Sequence, residues 1–91
     1  MSVRVKIFHT ELRKLVGDPS EVRLEGKTVG ECLRDFIRQY PDAERLMFDG
    51  EGRLLKPVYV FVNQESMFKA EFDRPVADND ELIMVALAVA G

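Results

Sequence analysis

A chain of 91 residues is long enough for one domain and leaves little room for a second. Its formal net charge is −3. Its hydrophobic content of 46% opposes intrinsic disorder, and its acidic balance lacks the basic stripe of a nucleic-acid-binding protein. The single cysteine, Cys32, excludes an internal disulfide and any zinc or iron–sulfur site built from four cysteines, and it fits a reducing compartment.

The N-terminus predicts a strand, because residues 3–7 alternate apolar and polar side chains with period two. This segment does not read as a signal peptide, and no apolar run approaches the length of about 20 residues that spans a membrane, so we expect a cytoplasmic protein. The stretch TELRKLVG predicts a short helical turn that ends at Gly17, with Asp18–Pro19 as a turn. The alternating EVRLE segment then predicts a second strand, which forms a β-hairpin with the first across this broad loop.

The stretch TVGECLRDFIRQYP predicts the main helix. Thr28 and Glu31 form a capping box at its start, and Pro41 stops it. Its apolar residues recur at helical spacing and form one stripe: Val29, Leu33, Phe36, Ile37 and Tyr40. Gly30 costs about 1 kcal/mol relative to alanine in a helix, so we expect close packing against it or tolerance in the first turn.

The second half of the chain predicts two strong strands, PVYVFVN and residues 81–87, with a weak one in SMFKAEFD. One helix covers only one face of such a four- or five-stranded mixed sheet. The order β-β-α-β-(β)-β therefore predicts an α+β fold, the ubiquitin-like β-grasp, with the first and last strands parallel at the centre. We expect one β-grasp domain over residues 1–91, with a flexible C-terminal tail at about 88–91.

The sheet face away from the helix is expected to be apolar as well. If Val58, Val60 and Val62 point inward, then Tyr59 and Phe61 point to the opposite side. Loops such as 42–56 could cover part of this second face, or the central strands could simply be apolar. The other alternative is an exposed patch that docks a protein partner. A homodimer would use the same patch. Its anchors would be Phe8, Tyr59, Phe61 and Leu87.

The chain does not show a self-contained active site. His9, the single histidine, has no second ligand or nucleophile beside it, and Cys32 is better explained as a structural residue. The carboxylates of Asp78, Asp80 and Glu81 lack the spacing of a calcium loop and are more typical of a turn and a charged strand edge. The sequence contains neither a P-loop nor a dinucleotide fingerprint, so we expect neither a metal nor a bound cofactor.

The C-terminus ends in small residues after a strand. Glycine lacks Cβ, so its backbone passes where a side chain would clash. An extended tip with a free carboxylate can enter a narrow channel, where adenylation makes the carboxylate reactive toward a sulfur or amine nucleophile. The alternative is that Gly91 is simply where the chain stops.

Four motifs in register resemble the ThiS/MoaD sulfur-carrier superfamily. HTELRKLVG resembles the family's RELVG segment, and TVGECLRDFIRQYP resembles its helix. VYVFVNQES resembles the VNGED strand and turn, and DNDELIMVALAVAG resembles the ending with a terminal Gly-Gly. The resemblance runs from Val3 to Gly91 and implies a β-grasp fold, in agreement with the pattern of elements.

The resemblance implies that an E1-like enzyme adenylates the C-terminal glycine with ATP and that sulfur transfer then gives a thiocarboxylate. Gly91 would carry the sulfur, Val89 and Ala90 would line the threaded tail, and Phe8 would match an aromatic docking position. The chain would act as the carrier subunit of a sulfurtransferase such as molybdopterin synthase, whose large subunit would be its partner. Cysteine or thiamine synthesis is the alternative, although the ERLMFDGEGRLLKPVYVFVN stretch resembles molybdopterin-type and cysteine-type carriers more than thiamine carriers.

The sequence departs from the family at its end, where Ala-Gly stands in place of Gly-Gly and the proline before the tail is missing. Either Ala90 replaces the penultimate glycine, or a final glycine follows Gly91 in the native protein. Two other functions stay open. The chain could be an interaction module that never forms a thiocarboxylate, or a modifier whose tail forms isopeptide bonds with lysines.

Overall fold

The computed structural model describes residues 2–67 and 71–86. The predicted tail and the candidate residues Leu87, Val89, Ala90 and Gly91 lie outside these residues. The elements are β1 (Val3–Phe8), α1 (Thr10–Val16), a 3-10 turn (Pro19–Glu21), β2 (Arg23–Leu24), α2 (Val29–Gln39), α3 (Ala43–Met47), β3 (Val58–Val62), β4 (Glu65–Ser66) and β5 (Glu81–Ala86).

The five strands form one mixed sheet in the order β2-β1-β5-β3-β4. The central strands β1 and β5 run parallel, and the other three neighbouring pairs are antiparallel. The β1–β2 hairpin encloses α1 and the 3-10 turn, as its broad loop predicted. The sheet and its helices match the ubiquitin-like β-grasp, so the predicted fold class and the parallel centre are confirmed.

The last part of the sheet differs from the sequence prediction. The weak strand was expected in SMFKAEFD, but β4 consists of Glu65–Ser66. Asn63 and Gln64 both adopt positive φ, of 49° and 73°, and this left-handed pair gives a two-residue turn that lets Glu65 pair directly with Val62. The second strand of this hairpin, β4, therefore begins one residue earlier than the sequence predicted.

The core lies between the sheet and a helical layer. From the sheet, the inward residues of β1, β3 and β5 are buried: Val3, Val5, Ile7, Val58, Val60, Val62, Leu82 and Met84. From the helices, Leu12, Leu33, Phe36 and Met47 are at most 2% exposed. The prediction that the three valines of β3 face inward is confirmed.

Three α-helices occur among the described residues, where the sequence predicted one main helix and short turns. α3 contacts α1 and α2, and Ala43, Met47 and Leu54 belong to the buried core cluster. The segment 42–56 thus packs on the helical side. The alternative that it covers the opposite sheet face is wrong.

The start of α2 is capped almost as predicted. Thr28 Oγ1 accepts a hydrogen bond from the Glu31 N–H at 3.2 Å. The Glu31 carboxylate, however, accepts from the backbone N–H of Lys27 at 3.0 Å, one residue before the expected reciprocal partner. Gly30 N–H donates to Phe72 O at 2.7 Å, and a Cβ on Gly30 would lie 2.9 Å from that oxygen. The expected close packing at Gly30 is confirmed.

Asp35 ties α2 to the end of β2. Its carboxylate accepts hydrogen bonds at 3.0 Å from the Glu25 backbone N–H and from Gln39 Nε2, and it pairs with Arg38. Gln39 Nε2 also donates to Arg23 O at 3.0 Å. Burial of Asp35 opposes its ionisation, but these donors outweigh that effect and lower the pKa of the carboxyl group. The network fixes how α2 crosses the hairpin.

Candidate functional site

The sheet face away from the helices is called here the open face. Strand register determines which side chains meet on it, because directly paired residues point to the same side of a sheet. Two rows cross the central strands: Phe8, Val85 and Tyr59 in the first, and Lys6, Ile83 and Phe61 in the second. The predicted anchors Phe8, Tyr59 and Phe61, which are distant in sequence, are thereby brought together.

Five apolar side chains of these rows form the open-face patch: Phe8, Tyr59, Phe61, Ile83 and Val85. Phe8 is 57% exposed, the one large hydrophobic side chain so exposed within the described part of the chain. The other four are half-buried, and none of the five joins the core cluster or packs against it. Contiguous apolar surface of this kind marks an interaction site more often than chance.

The patch lies at the end of the sheet where the chain leaves β5. Because β1 and β5 are parallel, the C-terminal ends of both strands lie side by side, and Phe8 pairs with Val85. Ala86, the last described residue of β5, follows immediately and pairs with Val58. A protein that docks on the patch therefore also reaches the point from which the chain continues toward Gly91.

The other end of the open face is basic. Lys6 follows the alternation of β1 and lies in the second row, and Arg4 pairs with Arg23 of β2 on one side and Glu81 of β5 on the other. Arg4, Lys6 and Arg23 are exposed. The sequence reasoning did not include these three residues in the site, although the VRVKIF alternation already placed Arg4, Lys6 and Phe8 on one face.

The single cysteine and the single histidine of the chain both have structural roles. Cys32 is fully buried, and burial, together with the nearby Asp35 and Glu31 carboxylates, raises its pKa to about 11. His9 caps α1, since its Nδ1 accepts the Leu12 N–H at 3.3 Å. The burial of Cys32 agrees with its interpretation as a structural residue.

The acidic cluster before β5 builds a turn, as predicted. Asp78 accepts the Ser2 N–H at 2.8 Å, and Asp80 accepts the Ala77 N–H at 2.7 Å and Asn63 Nδ2 at 3.0 Å. The hydrogen bond from Asn63, then that from Ala77, lowers the pKa of Asp80. Across residues 2–67 and 71–86, no group of three or more histidine, cysteine or acidic side chains is placed to hold a metal ion. No helix in this part of the chain has the length and apolarity to cross a membrane.

Comparisons with known proteins find matches among solved structures. No family model and no curated protein matches the chain. SAMP1 from Haloferax volcanii superimposes with a TM-score of 0.82 at 26% identity, over 100% of this chain and 99% of that one. A chain of the Amycolatopsis orientalis BexX/CysO complex gives 0.81 at 27% identity, over 98% and 99%. Mycobacterium tuberculosis CysO gives 0.79 at 26% identity, over 94% and 99%.

The fold and these matches define the class: the described part of the chain has the architecture of ubiquitin-like β-grasp proteins. Within that class, its structural neighbours are SAMP1, CysO and related ubiquitin-like sulfur carriers of the ThiS/MoaD type. The resemblance to the ThiS/MoaD superfamily, first indicated by four short motifs, is therefore confirmed. The likeness supports a sulfur-carrier role.

Proposed function

We propose that the protein is a sulfur carrier whose C-terminal Gly91 is activated by an E1-like enzyme and converted to a thiocarboxylate. One structural observation carries the proposal. The open-face patch lies beside the end of β5, so that an enzyme bound there holds the sheet next to the start of the tail. The same architecture is shared with ThiS/MoaD-type neighbours over the whole chain.

The chemistry requires little of the carrier itself. A carboxylate oxygen of Gly91 attacks the α-phosphorus of ATP in the partner's site, pyrophosphate leaves, and an acyl-adenylate forms. Hydrosulfide then attacks the acyl carbon, AMP leaves, and loss of the S–H proton gives the thiocarboxylate. A persulfide donor would instead leave an acyl disulfide, and a thiol must then cleave the S–S bond, which frees the thiocarboxylate and carries the rest of the donor away as a mixed disulfide. ATP is thus bound and used by the partner enzyme. The carrier supplies the carboxyl group and a rigid docking surface, which agrees with its buried, weakly acidic Cys32 thiol.

Partner recognition is assigned to the open-face patch. Phe8 supplies the most exposed aromatic ring, and Tyr59 and Phe61 extend the surface across β3. Leu87 would continue it, and Val89 and Ala90 would line the tail inside the partner's channel. Aromatic side chains contribute large contact area for little conformational entropy, which is why they dominate interface energetics.

Intact-mass spectrometry tests the central step. The chain is first confirmed to end at Gly91 and is then incubated with the E1-like enzyme of its source organism, ATP and either sulfide or a persulfide donor with a thiol reductant. The expected product is heavier by the exchange of one oxygen atom for sulfur. A variant that ends at Ala90 is the control and should remain unmodified. An unchanged mass for the verified full-length chain would refute the proposal.

The acceptor of the sulfur is a finer question, and we propose molybdopterin synthesis, with the large subunit of molybdopterin synthase as the second partner. The proposal rests on the resemblance of residues 44–63 to molybdopterin-type and cysteine-synthesis-type carriers rather than to thiamine carriers. Cysteine and thiamine synthesis are the alternatives. The thiocarboxylated chain can be supplied to purified acceptor enzymes of each pathway to discriminate the three. Only the true acceptor should take up the sulfur and convert the carrier back to its carboxylate form at the rate of catalysis.

Protein modification is a second candidate function. It is favoured by one neighbour, SAMP1 of H. volcanii at 26% identity, whose name stands for small archaeal modifier protein 1. If the tail forms isopeptide bonds, lysates should contain covalent adducts that disappear when Gly91 is deleted. A pure interaction module would instead bind its partner equally well without residues 89–91.

A further inference from the structure

The basic end of the open face is unusual for a chain with a net charge of −3. Arg4 and Arg23 lie directly opposite each other on β1 and β2, and Lys6 follows two residues later on the same face. Like charges directly opposite each other in a sheet are destabilising. This arrangement therefore lowers stability unless something else compensates for it.

The described residues compensate only one of the three cations. Arg4 lies 3.7 Å from the Glu81 carboxylate, and its Nε donates to Asn79 O at 3.2 Å. Lys6 and Arg23 make no side-chain ion pair within residues 2–67 and 71–86. Among the described strand residues, the open face thus carries three cationic side chains and the single carboxylate of Glu81, on a protein that is acidic as a whole.

The three residues, called here the basic cluster, adjoin the open-face patch. Lys6 pairs with Ile83, which pairs with Phe61, so one row of the sheet passes from a cation to apolar side chains without interruption. Any protein that covers the patch must pass close to Lys6. Its surface there meets positive charge that is not neutralised by the carrier.

We infer that the partner which docks on the open face presents an apolar surface bordered by aspartate or glutamate side chains, and that these pair with Lys6 and Arg23. The inference rests on the proposed docking function of the patch. Charge complementarity of this kind accelerates association and selects among partners more than it adds affinity. The basic cluster then determines which proteins approach the patch, and the patch holds them.

Other occupants fit the surface less well. The described strands of a second copy would present the Glu81 carboxylate on their open face, and that carboxylate is already paired with Arg4. A nucleic acid would gain from the cations, but its phosphates would gain nothing from Phe8 and Phe61, and the net charge of −3 would oppose its approach. A protein surface that combines apolar and acidic side chains complements both the open-face patch and the basic cluster.

The test measures association kinetics between the full chain and the E1-like enzyme at low and high salt. Lys6→Glu and Arg23→Glu should each slow association about tenfold at low ionic strength and flatten its salt dependence, because rim charges act through electrostatic steering. The matched control is Arg45→Glu, which makes the same charge change at an exposed position of α3, in the helical layer. It should leave the rate within about twofold of the unmodified chain. Circular dichroism and thermal unfolding confirm that each variant is folded.

The result separates this inference from the proposed function. If thiocarboxylate forms but Lys6→Glu, Arg23→Glu and Arg45→Glu all associate alike, the acidic-partner inference is overturned and the sulfur-carrier function stands. If the charge variants slow association but the unmodified chain gains no sulfur, the inference stands and the carrier function falls. Absence of binding by the unmodified chain, or a dimer of this chain that Phe8→Asp dissociates, would overturn the inference.

Discussion

The two faces of the sheet are built from the same strands and differ in what covers them. On the helical side Val58, Val60 and Val62 are at most 5% exposed and belong to one core. On the other side Tyr59 and Phe61, which alternate with them, are half-buried and outside that core. Hydrophobicity alone therefore does not distinguish a core position from a docking position in this protein. Stability depends on the covered face, and we propose that partner recognition depends on the other.

The largest expected effect is on the covered face. Phe36 is fully buried in α2, so Phe36→Ala removes an aromatic ring from the core and should lower the free energy of unfolding by about 3–5 kcal/mol. Phe8→Ala is the matched control, because the same substitution at a 57% exposed ring should change it by less than about 0.5 kcal/mol. Urea unfolding of both variants measures the difference. Equal losses would show that the two faces do not differ as described.

The contact between α2 and the end of β2 should be the next most sensitive. A Cβ on Gly26 would lie 2.7 Å from Glu31 Cβ and 2.8 Å from Cys32 N, so Gly26→Ala should cost about 1–3 kcal/mol of stability through overpacking. Gly50 has no atom within 4 Å of its added Cβ, so Gly50→Ala should be neutral or slightly stabilising. Thermal unfolding compares the pair, and a neutral Gly26→Ala would contradict the close approach.

The Asp35 network should produce a pH-dependent effect. The pKa of Asp35 is lowered in the folded protein, so its stabilisation is complete above the unfolded value of about 3.9 and is lost as pH falls through the lowered folded value. Asp35→Asn should therefore cost about 1–2 kcal/mol at pH 7 and progressively less in acid. Urea unfolding at several pH values measures this. Asp42→Asn, at an α3 N-cap without a side-chain hydrogen bond, is the control and should change little at any pH.

The smallest effect on stability is expected on the open face itself. Phe61→Thr keeps a residue that favours strands, so the free energy of unfolding should fall by less than about 1 kcal/mol. Affinity for the E1-like enzyme should nevertheless fall about tenfold or more, because a central aromatic ring of the patch is lost. Calorimetric titration measures the affinity. A variant that is destabilised but still binds normally would reverse the assignment of the two faces.

Much of the site could be predicted from local patterns. The alternation in VRVKIF and VYVFV placed Phe8, Tyr59 and Phe61 away from the core before any contact was known, and the structure brings them into adjacent rows. The basic cluster was missed for a physical reason. Arg23 meets Arg4 only because β1 and β2, which lie 15 residues or more apart in sequence, pair in the sheet. The alternation of side chains within one strand does not show which residues of two strands will pair.

The amino-acid sequence by itself determined the strands β1, β3 and β5, the helix α2 with its Thr28 cap, and the apolar character of both sheet faces. These features depend on residues a few positions apart, whose spacing matches the period of a strand or a helix. Only the tertiary structure decided that α1, α2 and α3 all lie on one side and leave the other face open. That choice depends on packing between distant segments, which the order of residues along the chain does not display.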